Sequence, residues 1–120
     1  MTIKDRKKLN AISQIIYDKK GFNILVLDVR GLSTMTDYYV IAEGTVDRHV
    51  QALCRALKDL ASTHDLAFLR VEGERSGDWV VMDSGDIIVH LFTSDMREKY
   101  ALEELWTKAK IIDTDIIIKN

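Results

Sequence analysis

The chain has 120 residues, 47% apolar and 30% charged, with a formal net charge of −2. That composition describes one soluble globular domain with enough apolar residues for a core, and its slightly acidic balance argues against a protein that binds nucleic acid by neutralising phosphates. The single cysteine, Cys54, excludes an intrachain disulfide and a thiolate metal cluster, and no apolar run is long enough to cross a bilayer.

In chain order, residues Thr2 to Lys20 read as a helix. Leu9, Ile12, Ile15 and Ile16 recur at helical spacing, and Gly21 follows as a stop signal. Met1 to Lys8 lacks a signal-peptide core and carries an acid, Asp5, so a reducing, cytoplasmic setting is expected. Asn23 to Val29 is the first predicted strand, with a buried run at Leu25, Val26 and Leu27. A polar loop, Arg30 to Asp37, leads to a second strand, Tyr38 to Ala42. A second helix follows, with Thr45 as its expected N-cap and Asp47 in its first turn. Its stripe is Val50, Leu53, Cys54, Leu57, Leu60 and Ala61. The stripe places Cys54 in the core rather than at a reactive site.

Leu66 to Val71 reads as the third strand. Asp78 to Phe92 reads as a hairpin turning at Ser84-Gly85, because both arms are rich in β-branched and aromatic residues and glycine permits the turn. Strand alternation puts Val80, Met82, Ile87, Val89 and Leu91 on one face. Trp79, Val81, Asp83, Asp86, Ile88, His90 and Phe92 fall on the other. The simplest pairing sets Asp83 opposite Asp86, Val81 opposite Ile88 and Trp79 opposite His90. A last helix is expected to open at Asp95, with Glu98 completing a capping box and Leu102, Leu105, Trp106 and Ala109 facing inward.

The predicted order is αββαβββα: an α/β domain with a five-stranded mixed sheet and its helices mainly on one face. Residues 1–108 form the domain and 109–120 an Ile-rich tail. Three consecutive isoleucines, Ile116 to Ile118, should not lie in water; the tail either adds an edge strand or packs on another chain.

Chemistry on this chain is sparse. Asp83, Asp86 and His90 share a predicted face, but paired acids at a hairpin turn have turn-forming reasons of their own. No nucleophile elbow, dinucleotide fingerprint or P-loop occurs. The second hairpin face is different in kind. Trp79 and Phe92, with Tyr100 beyond them, form an aromatic group rimmed by Glu72, Asp83, Asp86 and Arg97. Trp, Tyr and Arg are the residues that dominate interface hot spots. That face is expected to stand open as a surface for a cationic protein partner.

The ordered set of short motifs carries a resemblance. Asp28-Val29-Arg30-Gly31-Leu32-Ser33, Thr36-Asp37-Tyr38-Tyr39-Val40-Ile41, Gly44-Thr45 and Arg48-His49 resemble the first half of the iojap-like ribosomal silencing factors. Val71-Glu72-Gly73-Glu74, Asp78-Trp79-Val80, Met82-Asp83, Gly85 to His90, Phe92, Arg97, Tyr100, Leu102-Glu103 and Leu105-Trp106 resemble the second. Glu43 departs from the pattern, since the family more often has a small residue there.

The resemblance implies a nucleotidyltransferase-like fold without those enzymes' paired-acid metal motif, and so no catalysis and no cofactor. It implies binding to the large ribosomal subunit through its basic protein number fourteen, which keeps the small subunit from joining, and a homodimer in the free state. It assigns contact roles to Glu72, Trp79, Asp83, Asp86, His90, Phe92, Arg97 and Tyr100, with Ser33, Thr36 and Asp37 ranked behind them. Direct nucleic-acid contact is not expected. The alternative is a divergent nucleotidyltransferase-like or metal-dependent enzyme, for which Asp83, Asp86 and His90 are the motive.

Overall fold

The first helix forms where its apolar spacing predicts. In the computed structural model, which describes residues 1–118, α1 runs Ile3–Asp18, and the Thr2 hydroxyl caps it by accepting from Asp5 N–H at 3.0 Å. It ends with Lys20 in the left-handed region (φ 70°), and the Gly21 N–H reaches back to Ile16 O at 2.8 Å. Gly21 is therefore not the residue that turns. It is needed for space, because a Cβ there would overlap the Ile16 side chain.

The chain continues through β1 (Phe22–Asp28), β2 (Tyr38–Gly44), α2 (Asp47–Ala61), β3 (Arg70–Glu72), β4 (Trp79–Asp83) and β5 (Ile87–Thr93). It closes with α3 (Ser94–Tyr100), a 3-10 helix (Leu102–Trp106) and β6 (Lys110–Ile111). The sheet order is β3-β4-β5-β2-β1-β6, six strands where five were predicted. β2 and β5 pair in parallel and the other neighbours are antiparallel, so the sheet is mixed as predicted. The sixth strand is the start of the Ile-rich tail. Beyond it the tail lies along α1, where Asn10 and Gln14 exchange hydrogen bonds with Asp115 and Ile117.

One sheet face packs on α1 and α2. Leu9, Ile12, Ile16, Val50, Cys54 and Leu57 meet Val40, Val80, Met82, Ile87, Val89 and Leu91, all fully buried. Hydrophobic burial on this scale is the main force holding the fold. The other face is not left open. Met96 of α3, Leu102 and Trp106 of the 3-10 helix, and Ala109 pack over Leu27, Tyr39, Ile41, Ile88 and Phe92. The helices lie mainly on one face, as expected: α1 and α2 cover it, and the short C-terminal segment covers the middle of the other.

The predicted long last helix is corrected. Thr93, not Asp95, precedes α3, and no side chain caps it. Ala101 then takes φ 44°, ψ 48°, which ends the α-helix and starts the 3-10 turn. That break rotates Leu105 outward, where it is 70% exposed. The second helix begins after Val46 rather than Thr45. The third strand is shorter than predicted, with Leu66 and Phe68 still packed on the core.

Candidate functional site

The hairpin supplies the site, and its register decides which side chains meet. Asp83 pairs with Ile88, Val81 with His90 and Trp79 with Phe92. This is two residues away from the simplest pairing, because Ser84 N–H bonds Ile87 O at 2.9 Å and the two-residue turn is Gly85-Asp86. Gly85 sits at φ 93° in the first turn position, and its N–H donates to Asp83 Oδ1 at 2.7 Å. A two-residue shift leaves every strand side chain on its predicted face. Asp86 alone is lost from the group. As a turn residue it escapes strand alternation, and its carboxylate lies 3.8 Å from Lys8 Nζ of α1, on the other side of the sheet.

Directly opposed residues share a face, so the ladder builds rows across the second face. One row is Arg70, Asp83, Ile88, Tyr39 and Leu27; the next is Glu72, Val81, His90, Ile41 and Leu25. Trp79 and Phe92 lie beside the second row. Their rings form a connected layer. Trp79 stacks on Phe92 at 5.0 Å and meets Tyr100 at 4.7 Å, while Tyr39 lies 5.3 Å from His90 and 5.5 Å from Trp106. Contacts of this geometry contribute beyond plain area burial.

The layer is covered at its centre and open at one flank, which overturns the expectation of an uncovered face. Phe92 is fully buried and His90 is 7% exposed, so neither can be reached in this conformation. The flank toward β3 remains accessible: Tyr100 and Glu72 are exposed, and Trp79, Val81 and Asp83 are half-buried. Glu72, Trp79, Asp83 and Tyr100 are therefore the predicted residues that the fold brings together at a surface.

His90 is held neutral. Burial lowers its pKa from the ordinary 6.5 to about 4. The Trp79 indole N–H donates to His90 Nδ1 at 3.1 Å, and since indole nitrogen only donates, the imidazole proton must sit on Nε2.

Arg97 serves the fold. Its side chain is only 12% exposed and forms ion pairs with Glu43 at 3.2 Å and Glu103 at 3.3 Å. It also donates to the Asn23 carbonyl, and Asn23 Nδ2 donates to Glu43 at 2.9 Å. Glu43, the departure from the resemblance, is thus the partner that lets Arg97 be buried, pinning α3 to β1 and β2.

Sequence reasoning missed two participants, Tyr39 and His49, and had Trp106 facing inward without its partner. Tyr39 belongs to the aromatic layer, but its place depends on the β2–β5 register across a long crossover, which no local pattern shows. Trp106 covers Tyr39 only because the helix breaks at Ala101. His49 accepts from Thr45 N–H at 2.9 Å and bonds Lys19 O at 2.8 Å, tying the start of α2 to the end of α1. The Glu72-Gly73-Glu74 motif also has a packing reason. Gly73 sits at φ 83°, and a Cβ there would overlap the Trp79 carbonyl. Gln51 of α2 fixes the same loop through Glu74 O and Arg75 O.

Among the described residues, no group of three His, Cys, Asp or Glu side chains is disposed to hold a metal. No helix among them is long and apolar enough to cross a membrane.

Comparison with known proteins gives the family. A family model described as ribosomal silencing factor during starvation matches residues 2–120. The chain is 41% identical over 98 residues to ribosomal silencing factor RsfS of Bacillus subtilis, covering 82% of this chain and 83% of that one. It is 32% identical over 103 residues to a mouse protein named mitochondrial assembly of ribosomal large subunit protein 1, covering 82% of this chain and 45% of the mouse protein. A crystal structure from Bacillus halodurans superposes with a TM-score of 0.79 at 31% identity, covering 90% of this chain and 98% of that one. The chain belongs to the ribosomal silencing factor family, whose role is regulatory and not enzymatic.

Proposed function

We propose that this protein represses translation by binding the large ribosomal subunit through a basic ribosomal protein, the one numbered fourteen, so that its bulk keeps the small subunit from joining. The mechanism is steric and needs no reaction. The observation that carries it is the open flank, where the Trp79–Tyr100 pair emerges beside Glu72 and Asp83. Aromatic anchors with an acidic rim suit a basic protein surface, and the rim charges aid encounter as well as fit. The mouse relative's name, which refers to the large subunit, supports the same reading.

Glu72, Trp79, Asp83 and Tyr100 are the contacts within reach. Asp86 lies off this flank, Arg97 acts by positioning α3, and His90 and Phe92 back the layer from beneath. In the free state the same flank serves a homodimer, which masks the aromatic pair until the ribosome competes for it. The protein works in the cytoplasm, beside the ribosomes it silences.

Co-sedimentation with purified large subunits tests the proposal. Tyr100→Ala and Trp79→Ala are each expected to cost roughly 2 kcal/mol, more than tenfold in affinity. Asp83→Lys, which reverses a rim charge, should weaken binding most at low salt. Wild-type protein that stays behind when the subunits pellet would rule the proposal out.

A further inference from the structure

We infer that the segment Leu102–Ala109 is a flap that lifts from Tyr39, Ile88 and His90, extending the open flank into a continuous aromatic surface that the ribosomal partner occupies. The inference deepens the proposed function at the same site and rests on it for the identity of the partner.

Four observations converge on this segment. Its hinge is Ala101, a non-glycine residue held in the left-handed region. Neither α3 nor the 3-10 helix contains a buried residue, whereas the strands beneath are almost wholly buried. Of the three buried side-chain polar atoms without a hydrogen-bond partner among the described residues, two are in this one turn, Glu103 Oε2 and Trp106 Nε1. A cover that leaves an indole N–H and a carboxylate oxygen unsatisfied is destabilised by its own closure, since both would regain water on opening. Lastly, the cover does not fill its seat. An open cleft of about 800 Å³ separates it from β1, lined on both sides by residues such as Leu25, Glu43, Ala101 and Glu104.

The anchors are unequal. Arg97 fixes α3 to the sheet through Glu43 and the Asn23 carbonyl, so α3 stays in place with Tyr100 still against Trp79. The flap beyond Ala101 is tied by the Arg97–Glu103 pair at one end and by a two-residue strand at the other. Lifting it frees Ile88, which sits directly between Asp83 and Tyr39 in the cross-strand row. The reachable flank and the newly bared residues then form one surface.

Two buried thiols make the test, because Cys54 lies in the opposite core and reports only global opening. In the full chain carrying Ile88→Cys, maleimide labelling under native conditions, with each site resolved by mass spectrometry, should reach position 88 at least tenfold faster than Cys54. Adding Ala101→Gly, which relaxes the hinge in the closed form, should slow labelling at 88 several-fold. Equal rates at the two thiols would overturn the inference. Should Ile88→Cys not fold, exchange of the Trp106 indole proton, buried when the flap is closed, reads the same event in the unsubstituted chain. It is expected tenfold faster than the slowest β2 and β5 amides, and equal rates again overturn it. Ala101→Gly alone should sediment several-fold less with large subunits; undiminished binding despite slower opening would remove the gating step. A wild-type chain that opens its flap yet does not travel with the subunits would remove the ribosomal reading instead.

Discussion

His90 shows how one residue's surroundings fix its chemistry. It is apolar-packed, held by one indole N–H, and depressed to about 4. The unfolded chain binds a proton near 6.5, so below that pH it holds more protons than the folded one and stability falls as pH drops. The contribution is intact above pH 6.5 and is spent by about pH 4, a total of roughly 3 kcal/mol. Urea unfolding at pH 7 and pH 5 should differ by about 2 kcal/mol from this group alone. His90→Gln keeps an acceptor for Trp79 and carries no titrating ring, so its stability should change far less over that interval. An unchanged pH dependence in the variant would show that other groups are responsible. The sequence placed His90 on the right face. It did not reveal the burial, because burial depends on a cover that begins at residue 102.

At the level of elements, the decisive feature is the break at Ala101. Apolar spacing through Leu102, Leu105 and Trp106 reads as a continuing helix, and the structure replaces it with a tighter turn. Within that segment Leu102 and Trp106 face the sheet, and Leu105 is left outside. The left-handed residue costs about 1–2 kcal/mol for an alanine, and glycine returns about 0.4–1 of that as extra unfolded-state entropy. Ala101→Gly is therefore expected to stabilise the fold by several tenths of a kcal/mol and raise Tm by a few degrees in a thermal scan. A lowered Tm would mean that the left-handed conformation is not what limits the segment. The hairpin shows the opposite case. Its pairing moved by two residues, yet its faces held, because period two survives any even shift.

The whole molecule is a sheet with two unequal coats. The α1/α2 side carries most of the buried apolar side chains, and the C-terminal side carries the function proposed above. Leu57→Ala, which empties a fully enclosed site, should cost about 2–5 kcal/mol in chemical denaturation. Leu102→Ala, in the half-buried C-terminal cover, should cost about 1 kcal/mol or less. Equal losses would mean that the C-terminal coat is an integral core layer, and would weaken the case for a flap. The poorly closed side is also the side with room for the partner proposed above.

By itself the sequence determined the α/β class, the two long helices, the hairpin and the division of its residues into an aliphatic face and an aromatic one. Those follow from periodicity, which is local. The motif order also sufficed to identify the family. Only the tertiary structure decided the sixth strand, the row that joins Tyr39 to Ile88 and Asp83, the burial of Phe92 and His90, and the exclusion of Asp86 from the aromatic group. Each depends on which distant segments meet. Contacts across a parallel crossover or beneath a returning tail leave no repeat in the chain to be read.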